Sequence, residues 1–413
     1  MGAGDCADVS PDVRRKRMKQ HIFLASPHMS EEGYEQQYVK EAFDTNWIAP
    51  LGRNVTEFEN EITAKLSAPK AVALSAGTAA IHMALKAVGL EQGDLVFCQS
   101  LTFSASANPI VYEKAEPVFI DSETDTWNMD PQALKLAFER YGKLGKKPSA
   151  VIVVHLYGIC AKIREIREIC DEYEVPLIED AAESLGTVCH GRYTGTFGDY
   201  GIISFNGNKI ITSSGGGMLL VNAEDAEEKA KKVLYWATQA REPAPWYQHT
   251  EIGYNYRMSN IVAGIGRGQL KVLDRRIQKK RYIFEYYQKH LGILPGISFM
   301  PMPEDAYCNC WLSVILLSED CPVSPMDIMR ALQEDDVESR PVWKPMHLQP
   351  VFADYDFVTT VSELHITDTQ MGADSSVSGQ IFAHGVCMPS DSKMTDDDLQ
   401  RVCQVVRGLW KSV

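Results

Sequence analysis

Ala71-Val72-Ala73-Leu74-Ser75-Ala76-Gly77-Thr78-Ala79-Ala80-Ile81 is the stretch that decides how this chain is read. Its first four residues have the pattern of a short buried strand, and the strand runs out into small residues. Ile81, Leu85 and Val88 then recur at helical spacing, with Gly89 as the stop. A tight strand-to-helix turn presents free backbone N–H groups at the positive end of a helix dipole, which suits a phosphate. The same turn also occurs with no ligand, so the motif alone leaves both readings open.

The rhythm continues outward from this turn. Leu95-Val96-Phe97-Cys98, Pro117-Val118-Phe119-Ile120, Ala150-Val151-Ile152-Val153-Val154 and Val175-Pro176-Leu177-Ile178 are apolar runs separated by helical patterns. This predicts βαβ units on a mainly parallel sheet, an α/β fold. Two later runs, Gly201–Phe205 and Met218–Val221, bracket a Gly-rich turn and read as further strands, with Lys209 between them. After Ile252 one long helix is expected from Ser259 to Leu291, as a bridge to an α+β unit that starts near Pro295. No GxGxxG follows a strand, so a dinucleotide-binding dehydrogenase is disfavoured.

The 413 residues suffice for two or three units. A formal net charge of -14 would repel nucleic acid. The one basic run, Arg14-Arg15-Lys16-Arg17-Met18-Lys19, reads as a solvated face of a terminal tail. Ten cysteines carry no CxxC spacing, and Cys308 and Cys310 stand only one residue apart, so reduced buried thiols are expected, with no metal. No apolar run reaches membrane-spanning length and no secretory signal is visible, so a cytoplasmic enzyme is expected.

Two more segments carry chemistry. Glu179-Asp180-Ala181-Ala182-Glu183-Ser184 follows an apolar strand, which puts Asp180 at the carboxyl end of the sheet. There Asp180 either keeps a pyridine nitrogen protonated or simply caps a helix. Ser204-Phe205-Asn206-Gly207-Asn208-Lys209 leads into Thr212-Ser213-Ser214-Gly215-Gly216-Gly217. A lysine in such a loop can form a Schiff base with an aldehyde, although a lone lysine is more often a surface charge. The conjunction is what favours chemistry, because one cofactor asks for a phosphate cradle, an acid for its ring nitrogen and an amine for its aldehyde.

On these motifs the chain resembles the DegT-type nucleotide-sugar aminotransferases, pyridoxal-phosphate enzymes of fold type I, from about Ser26 to the C-terminus. The resemblance implies a large domain with a mainly parallel seven-stranded sheet over residues 26–290 and a smaller α+β domain over 291–413, after a flexible tail at 1–25. It implies phosphate contacts from Gly77 and Thr78 and from Ser204, stacking of Phe103 on the ring, Asp180 at the ring nitrogen and Lys209 as the catalytic amine. Glu183 stands near the ring hydroxyl, where the family often has Gln. Gly253-Tyr254-Asn255-Tyr256-Arg257-Met258 matches a segment whose Asn reaches a neighbouring subunit's cofactor phosphate, implying a homodimer with shared sites.

Within the family, the run Ser339–His347 resembles enzymes that act on UDP-linked N-acetyl-amino sugars, of the bacillosamine type. Arg340, Lys344 and His347 are therefore expected either at a diphosphate or uridine or in ordinary packing. Asp391 replaces a glycine common in such relatives, and would repel a diphosphate if turned inward. The implied reaction moves nitrogen from L-glutamate to the C4 ketone of a UDP-linked 4-keto-6-deoxy-N-acetylhexosamine in glycan biosynthesis. GDP-linked (perosamine-type) and dTDP-linked keto sugars, and a non-catalytic regulator of the same fold, remain as alternatives.

Overall fold

The computed structural model describes residues 20–365 and 372–411, and the basic run 14–19 lies outside the described residues. Strands β1 (Lys70–Leu74), β2 (Leu95–Gln99), β3 (Glu116–Ile120), β4 (Ala150–Val154), β5 (Leu177–Asp180), β6 (Tyr200–Ser204), β7 (Gly217–Val221) and β8 (Phe357–Val358) form one sheet. Their order is β1-β7-β6-β5-β4-β2-β3-β8. Strand β7 runs antiparallel to both β1 and β6, and every other pairing is parallel.

Strands β2, β4, β6 and β7 are buried on both faces, which is why they read as unbroken apolar runs. Strand alternation divides the packing. Val96 and Cys98 meet Ile81 and Leu85 of the helix Gly77–Ala87 on one face. Leu95 and Phe97 meet Phe138 of the helix Pro131–Lys143 and Ile166 of the helix Ile163–Glu172 on the other.

A second, four-stranded antiparallel sheet joins Ile297–Phe299, Ser313–Leu317, Gly385–Met388 and Arg340–Pro341. It packs against the helices Leu273–Leu291, Pro325–Glu334 and Asp396–Trp410 around Ile283, Ile315, Leu332 and Val402. Capping boxes at Ser324/Asp327 and Thr395/Asp398 fix where two of these helices start.

Three expectations are corrected. The sheet has eight strands rather than seven, because Phe357–Val358 returns to pair with Phe119 and Ile120. Met346 and Phe352 pack on the large sheet in the same excursion, while the helix Leu273–Leu291 packs through Ile283 and Tyr287 with the small unit built on the second sheet. The single helix expected over Ser259–Leu291 is two, Asn260–Leu270 and Leu273–Leu291, parted at Lys271 and Val272. Residues 22–24, expected within the tail at 1–25, are tied to the small unit. Ile22 donates to Asp336 O at 3.1 Å and accepts from the Glu338 amide at 2.9 Å, and the Ser390 amide donates to Leu24 O at 2.7 Å.

Candidate active site

The carboxyl ends of β5 and β6 put Asp180 and Ser204 on one edge of the sheet. Strand β7 runs the other way, so its first residue, Gly217, pairs with both Ser204 and Leu74 at that same edge. Here a cavity of about 480 Å³ opens, bordered by Gly77, Thr78, Phe103, Asp180, Glu183, Ser204 and Lys209. Topology thus gathers seven of the expected residues, which span 133 positions of sequence from Gly77 to Lys209, counting both ends.

One wall is the start of the helix Gly77–Ala87. Its N-cap, Ala76, offers no side-chain cap, so the amides of the first turn are left for water or an anion. The fit below this turn is close. A Cβ at Gly77 would lie 3.2 Å from Ser204 Cβ, and one at Gly217 would lie 2.3 Å from the Ala76 carbonyl carbon.

The opposite wall is acidic. Asp180 is 6% exposed, and it accepts from the Ser106 hydroxyl at 2.7 Å and the Ala182 amide at 3.1 Å. Ser106 is in turn bonded to the Thr102 hydroxyl at 2.8 Å. Among the described residues no cation pairs with this buried carboxylate, so a protonated ring nitrogen would supply what it lacks. Glu183 accepts from the Tyr157 amide at 2.7 Å and lies 3.4 Å from the Trp343 indole nitrogen. Burial pushes its carboxyl up from the ordinary range, against the opposing pull of Lys209 and of the Tyr157 amide.

Lys209 Nζ lies 3.5 Å from Glu183 Oε1 and 4.2 Å from the centre of the Trp311 ring. The uncapped helix start, the uncompensated Asp180 and the amine at Lys209 fit the phosphate, ring nitrogen and aldehyde of pyridoxal phosphate. Phe103 lines the same cavity, exposed and edge-on to Trp343 at 6.2 Å.

Other expected residues lie elsewhere. Asn255 is exposed and does not border the cavity, and it forms a bridge with Thr238. Arg340 borders a separate groove with His21, Arg330 and Asp336. His347 takes the packing alternative, since Ser100 Oγ at 2.6 Å and Asp374 at 3.1 Å occupy both ring nitrogens, and the ring stacks on Phe357 at 3.7 Å. Lys344 is half-buried and does not border the cavity. Asp391 points away from the site. It accepts from the Ser26 amide at 2.8 Å and the Lys393 amide at 2.9 Å, and it binds His28 at 2.5 Å. Burial opposes its ionisation, yet the bonds from His28 and Ser26 outweigh that and hold its carboxyl well below the usual range.

Trp311 and Tyr157 were not singled out from the sequence. Tyr157 adopts a left-handed backbone at φ 54°, and its hydroxyl accepts from the Trp343 amide at 3.0 Å, so it joins the small unit to Glu183. Nothing local to either residue in the sequence announces these contacts.

Comparison with known proteins places this geometry. Residues 29–407 match the model of the DegT/DnrJ/EryC1/StrS aminotransferase family. EpsN of Bacillus subtilis (strain 168), a pyridoxal phosphate-dependent aminotransferase by designation, is 52% identical over 96% of this chain and 97% of its own. A GDP-perosamine synthase of Vibrio cholerae is 33% identical over 93% of this chain and 98% of its own. The crystal structure of the aminotransferase TlmJ from Streptoalloteichus hindustanus superposes with a TM-score of 0.82 at 25% identity, covering 95% of this chain and 100% of that one.

Proposed function

The chain belongs to the DegT/DnrJ/EryC1/StrS aminotransferase family, and from that membership we propose that it transfers nitrogen from L-glutamate to the C4 ketone of a UDP-linked 4-keto-6-deoxy-N-acetylhexosamine. At the coarser level it is a pyridoxal-phosphate-dependent aminotransferase acting on nucleotide sugars. We place it in the cytoplasm, as a homodimer in which Asn255 of one copy reaches the cofactor phosphate of the other.

The observation that carries the reading is the convergence of Lys209, Asp180 and an uncapped helix start in one cavity. When bound, pyridoxal phosphate supplies an electron sink for the electrons of a broken C–H bond. Gly77, Thr78 and Ser204 would hold its phosphate, Asp180 would keep a proton on its ring nitrogen, and Glu183 would stand near the ring hydroxyl. Lys209 Nζ, once free, would take up a proton from the substrate carbon as general base and deliver it to the cofactor carbon as general acid. Trp311, Trp343 and Phe103 give the cavity apolar walls that restrict water around that amine.

The sugar carrier is the finer point. The Vibrio cholerae relative supports GDP as the second reading, whereas UDP rests on the sequence resemblance of the Ser339–His347 run, of which only Trp343 borders the cavity. The intact Lys209 and Asp180 weigh against a non-catalytic regulator. Incubation of purified protein with glutamate and a panel of UDP-, GDP- and dTDP-linked 4-keto sugars should give an amino sugar fastest from the UDP member. Preference for GDP would move the assignment to the second reading. Lys209→Ala should lose both turnover and the absorbance at about 400 nm of lysine-bound cofactor. Retention of both would refute the role of Lys209.

A further inference from the structure

Trp311 has so far been only one apolar wall among three, yet it is bound to the Lys209 loop by two contacts of its own. Its indole N–H donates to the Asn208 carbonyl at 2.7 Å, one residue before the lysine. The face of the same ring lies under Lys209 Nζ, 4.2 Å from its centre. The ring is 1% exposed, so it is held in place by the surrounding packing.

Trp311 is itself held from behind. Its amide donates to Asn309 Oδ1 at 2.9 Å, and the Asn309 side chain donates to the carbonyls of Glu183 and Leu185, each at 3.0 Å. The intervening Cys310 takes a left-handed backbone at φ 52°. Gly158 closes the packing, for a Cβ there would fall 1.9 Å from Asn309 Oδ1. The turn that carries Trp311 is thereby fixed to the backbone of Glu183, the acid 3.5 Å from the same amine. Trp311 and Glu183 form one rigid seat.

We propose that Trp311 is a positioning residue for the transamination chemistry: its ring face and indole N–H hold the free amine of Lys209 beside Glu183 whenever that amine is not joined to the cofactor. The proposal rests on the reading of Lys209 given above. A cation gains from the negative face of an indole, more when desolvated, and a neutral amine gains little. The seat therefore favours the charged, parked amine, and deprotonation releases it. The other charged groups near the loop are Glu183 in front, Asp180 on the same cavity and, bordering a small cavity with Lys209 behind, His28, Arg276 and Lys280. The Trp311 variants leave all of them in place.

The test uses the full chain freed of cofactor. The rate at which it captures pyridoxal phosphate is followed by absorbance across a pH series, for wild type, Trp311→Phe and Trp311→Leu. Capture needs the neutral amine, so its rate rises with pH. In Trp311→Leu the midpoint should move to lower pH by on the order of one unit, with Trp311→Phe in between because its face is retained but weaker. Wild-type chain grown with fluorinated tryptophan, which weakens the ring face while leaving the packing alone, should move the same way. That sample keeps the test open should Trp311→Leu fail to fold. An unchanged or raised midpoint in the fluorinated protein overturns the proposal. A wild-type chain that captures no cofactor at any pH overturns the reading of Lys209 instead.

Discussion

Gly217→Ala offers a direct test of the phosphate cradle. The new Cβ would sit 2.3 Å from the carbonyl carbon of Ala76, 2.4 Å from its oxygen and 2.5 Å from the Gly77 nitrogen. All three are backbone atoms, so no side chain can swing aside. Relief to an ordinary contact of 3.4 Å requires a separation of about 1.1 Å between β7 and the start of the helix Gly77–Ala87. That helix is packed on β7 and β6 through Ala80, Ile81 and Ala84, so the shift also strains the core, at a cost of about 1–3 kcal/mol. The amides that begin the helix move with it. Charge-assisted hydrogen bonds weaken steeply over such a distance, and two of them at roughly 1.5 kcal/mol each make a loss of about 3 kcal/mol in binding a phosphate. This corresponds to a dissociation constant for pyridoxal phosphate raised about 100-fold. The assay is a fluorescence titration of cofactor-free protein, run beside a thermal melt. A variant that binds the cofactor as wild type does, with an unchanged melting temperature, would falsify the assignment of this turn as the phosphate site.

Three further outcomes can be checked together. Glu183→Gln should flatten the acid-to-neutral stability profile of the cofactor-free protein. Burial raises the folded-state value of Glu183, so its favourable contribution is complete below the unfolded value near about 4.3 and disappears as pH rises through the folded value. Melts in a pH series that show equal slopes for variant and wild type would contradict this. Asp391→Asn should destabilise by about 3–5 kcal/mol at neutral pH, since it turns one of the two oxygens that serve Ser26 and His28 into a donor and removes the counter-charge of Lys280, a buried amine already lowered to about 8 by burial. The folded value of Asp391 is depressed, so the gap to wild type should be full above about pH 4 and close as pH falls toward that value; a gap indifferent to pH points to packing alone. Asn255→Asp puts a negative charge where the neighbouring copy's phosphate is proposed to lie, so dialysis should strip cofactor from it faster than from wild type. Equal retention removes the cross-subunit contact.

Much of the fold is legible along the chain because parallel strands buried on both faces leave continuous apolar runs, as in Ala150–Val154. The cofactor residues are legible for a related reason. Asp180 and Ser204 end buried strands of this sheet, and Gly77, Phe103, Glu183 and Lys209 lie a few residues beyond a strand's carboxyl end, where an open α/β sheet gathers its ligands. Strand β8 left no comparable trace: it is two residues long, and its pairing is decided by the backbone of Phe119 and Asp121 rather than by its own pattern. The break at Lys271 and Val272 is equally silent, since neither residue opposes a helix strongly enough to end one.

Arg340 and His347 show a different limit. Residue type suggested anion binding for both, and residue type says nothing about facing. Arg340 is exposed and borders a separate groove, and His347 is consumed by Ser100, Asp374 and Phe357. The small unit's demonstrable share of the cavity consists instead of Trp311 and Trp343. Trp343 meets Glu183 through its indole and Tyr157 through its amide, and Trp311 meets Lys209 directly. The large unit thus supplies the groups that fit the cofactor, while the small unit supplies the surfaces that hold the amine and the acid beside it. Motifs record the first because it lies within strand-to-helix turns. The second depends on contacts between residues 102 positions apart, Lys209 and Trp311, so it emerges only when the two units are packed together.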